Sequence, residues 1–350
     1  MDTLSSSQRF LNACWQKSVD KTPVWFMRQA GRYMSEYRAI RAKYTLLEIC
    51  AQPELAAQVT LQPVSRLGVD AAILFADILL PLIPMGIQLE FSAGEGPVIH
   101  NPIQNRTDID ALRPVEPRET LAHVLGAIQI VRKELDGKKA LIGFAGAPFT
   151  LASYLIEGGS SRNLLKTKRL MYSDPQSWHR LMEKLAQVIA DYLTAQVQAG
   201  AQAVQLFDSW VGTLTPDDYH EYVLPYSKSI FAALQRTNVP TIHFGTGTAS
   251  LLPLMKEAGG NVIGIDWQTP LDWAWERLDH QVAVQGNLDP AALYAPEAEL
   301  EKHVKRILRQ AGGRLGHIFN LGHGILPDTP VDQVKRVVDL VHKWSSQPVE

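Results

Sequence analysis

Cysteine is scarce in this sequence. Only Cys14 and Cys50 occur among the 350 residues, which excludes a disulfide framework and a zinc site made of three or four thiolates. The scarcity fits a protein of a reducing compartment.

Long apolar runs are also missing. Nowhere are eighteen consecutive residues apolar, and residues 1–16 show no basic segment followed by an apolar stretch of signal-peptide length. We therefore expect a cytoplasmic protein without a membrane partner.

Neither sign of charge is in excess. The chain carries 34 Lys and Arg against 36 Asp and Glu, which is a formal net charge of −2. This balance provides no overall field that would attract nucleic acid. We expect no nucleic-acid partner, and any site for a polyanion must be local.

The sequence does contain a repeated alternation of apolar runs and helix-like stretches. Eight runs are short and rich in β-branched and aromatic residues. They are Val24–Arg28, Ala71–Asp77, Leu141–Gly146, Ala203–Ser209, Thr241–Thr246, Val262–Trp267, Val282–Leu288 and His317–His323. Their continuous apolarity is typical of parallel strands buried on both faces. Eight alternating β and α elements predict an α/β fold, a (β/α)8 barrel of the TIM type.

Two helices and one insertion are also visible as patterns. Apolar residues recur at helical spacing in Ser177–Ala199 and in Val331–Trp344. Between strands two and three, Ile87–Phe91 and Pro97–Ile99 flank turn-forming residues and predict a β-hairpin insertion.

No linker marks a domain boundary, so we expect one catalytic domain over residues 1–350. A doubly wound sheet is the alternative, but it needs a Gly-rich turn after its first strand. The first run instead continues into Arg28-Gln29-Ala30-Gly31-Arg32.

Polar residues end most of the predicted strands. In a (β/α)8 barrel the active site forms at the carboxyl ends of the strands, so residues there are candidates by position. They are Arg28, Asp77, Asp208, Ser209, His243, Asp266, Asn287 and His323. His243 and Asp266 fit buried, hydrogen-bonded barrel residues equally well.

Four arginines follow the first strand closely. Arg28, Arg32, Arg38 and Arg41 lie within fourteen residues, against Glu36 alone. A guanidinium binds carboxylates bidentately and stays charged when partly desolvated, so the cluster predicts a clamp for a polycarboxylate. A solvated helix face is the alternative.

Asp77 is the only charged residue between Asp70 and Glu90. A carboxylate in such an apolar stretch is costly to bury without partners, which indicates a function. A helix N-cap is an equally good structural explanation.

Three further candidates differ in strength. Tyr154 is more often a packed aromatic residue with a satisfied hydroxyl than a catalytic group. Ser209 could simply open the next helix or turn, and it lacks the Gly-x-Ser-x-Gly context of a nucleophile. His323 has the best case among the ten histidines, because Gly322 and Gly324 on either side would let the backbone approach a ligand closely.

Several stretches together resemble one family, the uroporphyrinogen decarboxylases, across nearly the whole chain. The most specific are residues 23–33, PVWFMRQAGRY, and residues 143–150, GFAGAPFT. Residues 75–79, 205–209 and 320–324 follow in the same order and at matching separations.

The resemblance implies a cytosolic homodimer with the (β/α)8 fold that converts uroporphyrinogen to coproporphyrinogen without a metal or an organic cofactor. Phe144 and Phe207 match aromatic positions that line the family's cleft. Substrate-binding or catalytic roles fall on Arg28, Arg32, Arg41, Asp77, Tyr154, Ser209 and His323. Of these, the catalytic candidates are Asp77, Arg28, Tyr154 and His323.

These residue types suit that chemistry. A pyrrole acetate can lose CO₂ once its ring α-carbon is protonated, because the departing electrons then have an iminium-like sink. Arginines would bind the carboxylates, and Asp77 would accept pyrrole N–H bonds and stabilise the cation. The proton donor stays open among Arg28, an aspartic acid of raised pKa, and water held by Tyr154 or His323.

Three other functions compete with this one. A zinc-dependent methyltransferase of the same superfamily would place His-x-Cys after strand five and Cys after strand eight, where His243-Phe244-Gly245 and His323 stand. A metal-dependent barrel hydrolase would need His-x-His where Met27-Arg28-Gln29 lies. A non-catalytic tetrapyrrole carrier would use the arginines but would not need Asp77.

Overall fold

A computed structural model describes residues 4–92 and 96–346. Its strands are β1 Ala71–Ile73, β2 Leu89–Ser92, β3 Gly96–Ile99, β4 Ala140–Gly146, β5 Ala203–Asp208, β6 Thr241–Gly245, β7 Val262–Gly264, β8 Ala283–Gln285 and β9 His317–Ile318. All except β2 and β3 run parallel in one curved sheet, in the order β1-β4-β5-β6-β7-β8-β9.

Helices alternate with these strands and cover the outside of the sheet. They are α1 Ser6–Cys14, α2 Ser35–Arg41, α3 Leu46–Ala51, α4 Pro53–Leu67, α5 Arg106–Asp110, α6 Pro117–Thr120, α7 Ala122–Leu135, α8 Pro148–Glu157, α9 Leu165–Ser173, α10 Pro175–Ala199, α11 Pro216–Tyr222, α12 Leu224–Leu234, α13 Leu252–Ala258, α14 Leu271–Arg277, α15 Glu297–Ala311 and α16 Val331–Ser345. Among the residues that the structure describes, no helix combines the length and the apolarity needed to cross a bilayer.

The segment around Val24 closes the ring between β9 and β1. Val24 forms a parallel bridge with Phe319, and the Asp70 N–H donates to the Val24 carbonyl at 2.8 Å. The predicted barrel fold is thereby confirmed, but the first predicted strand, Val24–Arg28, is wrong in extent. From Phe26 onward the Gln29 side chain takes the place of a strand ladder, since it accepts from the Phe26 N–H at 3.1 Å.

Most of the other predicted strands also end earlier than the apolar runs do. β1 stops at Ile73 and β9 at Ile318, whereas the runs continue to Asp77 and His323. The last residues of these runs leave the sheet and form loops at the carboxyl ends of the strands, a region we call the mouth. The prediction of one domain over residues 1–350 stays a prediction.

The two predicted helices are confirmed with small changes of boundary. α10 begins at Pro175 because the Asp174 side chain caps it, accepting from the Ser177 N–H at 3.1 Å. It ends at Gly200, whose φ of +126° a residue with a side chain rarely adopts. α16 extends one residue past the predicted Val331–Trp344.

A chain of hydrogen bonds crosses the interior of the barrel. The Trp25 indole N–H donates to Gln285 Oε1 at 3.0 Å, and Gln285 Nε2 donates to Gln205 Oε1 at 3.1 Å. These residues come from the closing segment, β8 and β5, which are not neighbours in the ring. Their contact therefore ties opposite sides of the barrel together.

A buried charge network lies at the end opposite the mouth. Asp70 accepts hydrogen bonds from the Arg9 guanidinium at 2.7 Å, from the Val24 N–H at 2.9 Å and from His342 Nε2 at 2.7 Å. Burial raises the pKa of Asp70, but these partners outweigh it and lower the pKa to about 2. The network fixes the closing segment against α1 and α16.

The hairpin insertion is confirmed between β1 and β4. β2 and β3 pair antiparallel from Leu89 and Ile99 to Ser92 and Gly96, while residues 93–95 of the predicted turn lie outside the described residues. The hairpin also contacts the loop after α8, because Val98 bridges Gly159 and the Ile99 N–H donates to the Gly158 carbonyl at 2.9 Å. A Cβ at Gly159 would lie 2.8 Å from the Pro97 carbonyl oxygen, so only glycine fits there.

Candidate active site

Arg28 reaches the mouth because the chain turns sharply beside it. Its φ of +59° lies in the left-handed region, and Asn320 holds the preceding residue by accepting from the Met27 N–H at 3.1 Å. A Cβ at Gly324 would lie 2.4 Å from Arg28 Cδ. The Arg28 side chain therefore lies directly across the Gly324 backbone.

The four arginines divide into two pairs. Arg38 donates to the Arg32 and Tyr33 carbonyls at 2.9 and 3.0 Å, and Arg41 donates to the Tyr44 carbonyl at 2.6 Å. Arg28 and Arg32 are exposed, and their guanidiniums have no hydrogen bond or ion pair with any residue in 4–92 or 96–346. Arg28 and Arg32 are therefore free to bind an anion, whereas Arg38 and Arg41 also hold their own segment.

Asp77 lies in the loop after β1 with part of its surface open to the mouth. Its Oδ1 accepts from the Leu79 N–H at 2.9 Å, so it does cap the following turn. Burial raises the pKa of Asp77 to about 6, against the opposing effects of the Leu79 N–H and the positive charge of Arg28. The capping and functional interpretations are therefore compatible.

Tyr154 belongs to the same group of side chains. Burial and the Asp77 charge raise the pKa of Tyr154 to about 12, while the Ser160 hydroxyl and Arg28 oppose the rise. Its ring lies against the Trp210 ring, with centroids 4.1 Å apart. The hydroxyl therefore stays protonated near neutral pH and is available as a hydrogen-bond donor.

His323 lies within the electrostatic reach of Arg28 and stacks on Trp267. The two rings are 6.1 Å apart between centroids and nearly parallel, at 9°. Burial and then Arg28 lower the pKa of His323 to about 4, although Asp266 acts in the opposite direction. His323 is therefore neutral at physiological pH.

The glycines beside His323 allow close contacts within the protein. A Cβ at Gly322 would lie 2.1 Å from the Trp267 backbone nitrogen, and Gly324 faces Arg28 as described. The close approach that the sequence indicates is made to these two protein residues.

A row of aromatic rings extends from Phe144 to His323. Centroid separations are 5.5 Å from Phe144 to Phe207, 5.8 Å from Phe207 to Phe244, and 6.5 Å from Phe244 to His323. Gln196 of α10 fixes one end, because its amide pairs with both the N–H and the carbonyl of Phe144, at 2.9 and 2.8 Å. The exposed parts of Phe144 and Phe207 offer an apolar surface to a flat or puckered ring system, whereas Phe244 is buried.

Ser209 faces a pocket of about 290 Å³ at the mouth. Trp210 and Trp267, the ring partners of Tyr154 and His323, also line it. The pocket thus joins the two sides of the site. A larger cavity of about 470 Å³ lies by α12 and α13, and none of the predicted site residues lines it.

Four strand-end candidates lie outside this group or serve its structure. The His243 ring packs on Phe231 of α12 at 5.0 Å, on the face of β6 opposite Phe244. Asp208 is fully buried and accepts from the Thr150 hydroxyl at 2.8 Å, and burial raises the pKa of its carboxyl to about 7. Neither residue lines the pocket at the mouth.

Asp266 and Asn287 organise loops. Asp266 accepts from the N–H groups of Gly247 and Gln268, and the Asn287 amide donates to the Asp266 and Thr269 carbonyls at 2.8 and 2.6 Å. Their polar groups are thereby committed to the backbone of the mouth.

Sequence reasoning missed several residues that build the site. Gln29 and Asn320 hold the turn at Arg28, and Trp210 and Trp267 support Tyr154 and His323. Each lies within three residues of a predicted strand end, which is a signal that could have suggested them.

Metal-binding side chains do not converge in this site. No group of three His, Cys, Asp or Glu within residues 4–92 and 96–346 is arranged to hold a metal ion. Cys14 and Cys50 are both buried, in α1 and α3.

The family model and the curated relatives at 53–63% identity give the same family. The family model described as uroporphyrinogen decarboxylase matches residues 5–344. A uroporphyrinogen decarboxylase of Sorangium cellulosum is 63% identical over 334 residues, covering 95% of both chains. One from Carboxydothermus hydrogenoformans is 57% identical over 341 residues, covering 97% of both chains.

Solved structures support the fold. A methyltransferase from Methanosarcina mazei superposes with a TM-score of 0.82 at 20% identity, over 97% of this chain and 99% of the other. A B12-independent methionine synthase from Shewanella reaches 0.55 at 10% identity, over 83% of this chain and 88% of the other. At such identities the likeness concerns the fold alone.

Proposed function

The chain belongs to the uroporphyrinogen decarboxylase family, and from that premise we propose how it converts uroporphyrinogen III to coproporphyrinogen III, a step of tetrapyrrole biosynthesis. Four acetate carboxylates are removed as CO₂. The observation that carries the proposal is the placement of Asp77, a half-buried carboxylate with a raised pKa, within the electrostatic reach of Arg28 and Tyr154.

Binding begins with Arg28, Arg32 and Arg41, which we call the charged rim, and with the aromatic row. Arg28 and Arg32 bind acetate and propionate groups, because a guanidinium forms bidentate hydrogen bonds with a carboxylate. Arg41 adds positive charge beside them. The macrocycle lies against Phe144 and Phe207, whose edge-to-face packing is already fixed by Gln196.

Decarboxylation then proceeds through a cation at the pyrrole. A proton adds to the ring α-carbon, the bond to the carboxylate breaks, and its electron pair neutralises the ring cation as CO₂ leaves. A second proton converts the exocyclic methylene to a methyl group, and the α-carbon proton is lost. One proton is consumed for each CO₂ released.

Asp77 stabilises the two cationic stages. Its ionised carboxylate accepts the pyrrole N–H bonds, and it interacts more strongly with a cation than with the neutral ring, so it lowers the barrier rather than tightening binding alone. Its raised pKa of about 6 means that it is ionised at physiological pH but poorly solvated. A poorly solvated charge acts more strongly on its surroundings than a hydrated one.

Two neutral hydrogen-bond donors, Tyr154 and His323, belong to the same site as the Asp77 carboxylate. Tyr154 keeps its hydroxyl proton, and His323 stays neutral with one ring N–H, so both can orient water or a carboxylate without carrying charge. Ser209 supplies a further hydroxyl group at the pocket. The positive charge of Arg28 acts on both Asp77 and His323, and it lowers the pKa of acidic groups near it, which favours their giving up a proton.

The reaction uses no metal and no organic cofactor in this proposal, because the substrate supplies its own electron sink. The protein acts in the cytoplasm, as a homodimer. These statements rest on the chemistry and on the family, and chelation and sedimentation experiments can test them separately.

The decisive experiment is an anaerobic incubation of the purified chain with uroporphyrinogen III. After oxidation, chromatography should resolve products with seven, six, five and four carboxylates. A carrier would retain the substrate in gel filtration without forming any of these products. That result would overturn the assignment for this chain.

A further inference from the structure

Arg162 lines the pocket that Ser209 faces, although nothing in the sequence marks it as a site residue. The walls of this pocket include Ser161, Arg162, Ser209, Trp210, Trp267 and Gln268. At about 290 Å³ it lies at the small end of the range for pockets that hold a complete ligand. It therefore suits one substituent of a larger molecule.

The floor of this pocket is rigid. A Cβ at Gly212 would lie 2.1 Å from the Thr246 carbonyl oxygen, so the two backbones touch. The Thr246 hydroxyl donates to the Ser209 carbonyl at 2.5 Å, and Asp266 accepts from the Gly247 N–H. A substituent that enters would meet a preformed surface.

The loop that carries Arg162 is anchored on three sides. The hairpin holds Gly159 through its bridge with Val98. The Leu164 N–H donates to the Ser161 hydroxyl at 3.3 Å, and Lys168 Nζ donates to the Thr213 carbonyl at 2.6 Å across the edge of the pocket. The hairpin insertion thus helps to place a guanidinium at the mouth.

Charge decides the kind of substituent. Among the residues that the structure describes, no Asp or Glu lines this pocket, and the Arg162 guanidinium has neither an ion pair nor a hydrogen bond. A guanidinium and a serine hydroxyl that face one small pocket match a carboxylate, which accepts bonds from both.

We propose that Arg162 and Ser209 form a subsite for a carboxylate on a pyrrole ring that is not reacting. The inference rests on the proposed function. Tyr154 packs on Trp210, a wall of the pocket, while the Asp77 charge acts on Tyr154. The pocket therefore neighbours the reacting centre without containing it, and its occupant sets the rotational position of the macrocycle above Asp77.

The test compares Arg162→Gln with Arg169→Gln as a matched control. Arg169 is also exposed, lies on α9 rather than in the loop before it, and does not line the pocket. Arg162→Gln should raise KM for uroporphyrinogen about tenfold at low salt with kcat nearly unchanged, as expected for a contact made equally in the ground and transition states. The KM of Arg162→Lys should lie between those of the wild type and Arg162→Gln, because lysine keeps the charge without the bidentate geometry.

The outcomes separate the two proposals. If the wild-type enzyme forms no decarboxylated product, the proposed function fails whatever Arg162 does. If the wild type turns over and Arg162→Gln has the same KM as Arg169→Gln at low and high salt, the subsite is wrong. A KM increase that disappears at high salt for Arg162→Gln alone would support it.

Discussion

Replacing Asp77 by Asn should slow the enzyme and stabilise it at the same time. Asn is nearly isosteric and can still accept the Leu79 N–H, so the turn is retained. The negative charge is lost, and with it the stabilisation of the pyrrole cation. Removing one preorganised electrostatic group typically costs about 10²–10³ in kcat, and we expect at least that loss.

The gain in stability follows from the raised pKa of Asp77. Its ordinary value is 3.8 and its value in the folded chain is about 6, so the folded state prefers the protonated form. This preference stabilises the fold fully below 3.8 and is lost as the pH rises through 6. At about 1.36 kcal/mol per pKa unit, ionised Asp77 costs about 3 kcal/mol of unfolding free energy above that range.

The assay is urea unfolding of both proteins at two pH values, together with kcat. The stability advantage of Asp77→Asn over the wild type should grow by about 1.5 kcal/mol between about pH 5 and about pH 8. A constant difference would refute the assigned electrostatics. A folded Asp77→Asn enzyme that keeps more than about a tenth of wild-type kcat would rule out the catalytic role.

Four further predictions follow from the same site and from the network at the opposite end. Arg32→Ala should raise KM and weaken its salt dependence without loss of stability, whereas Arg41→Ala should also lower the melting temperature, because it loses the bond to the Tyr44 carbonyl. The acid limb of kcat/KM should lie near pH 6 and persist in His323→Gln, since the pKa of His323 is only about 4. Exhaustive chelation should leave turnover intact, and a stoichiometric metal whose removal abolishes it would contradict that expectation. Asp70→Asn should lower the unfolding free energy by about 1–3 kcal/mol, because it weakens the bonds to Arg9 and His342 while Arg9 keeps its ion pair with Asp20. A loss below about 0.5 kcal/mol in urea unfolding would count against this network.

The sequence predicts the barrel well because its signals are local. Continuous apolar runs mark strands buried on both faces, and seven of them coincide with strands of the sheet. The run at Val24 is different, because side-chain hydrogen bonds of Gln29 replace the ladder. Composition and periodicity carry no information about that substitution.

The candidate site is less predictable, because it depends on which face a side chain takes. His243 and Phe244 are adjacent, yet only Phe244 joins the aromatic row. A strand end specifies a region, and a difference of one residue reverses the direction of the side chain. Arg162 illustrates the other limit, since its position depends on a hairpin more than sixty residues earlier.

The closure of the ring at Val24 has a consequence for the order of folding. Met27 and Asn320, which meet there, are 293 residues apart in sequence. At about 5–20 residues per second of synthesis, the closing segment waits about 15–60 s for its partner. Arg28 and Arg32 follow this segment directly, so the nascent chain acquires the charged rim of its site only when the last strand has been made. During that interval the apolar residues 24–27 lack their partner at Phe319 and cannot close the barrel. A chaperone that covers them would protect this segment until the last strand has been made.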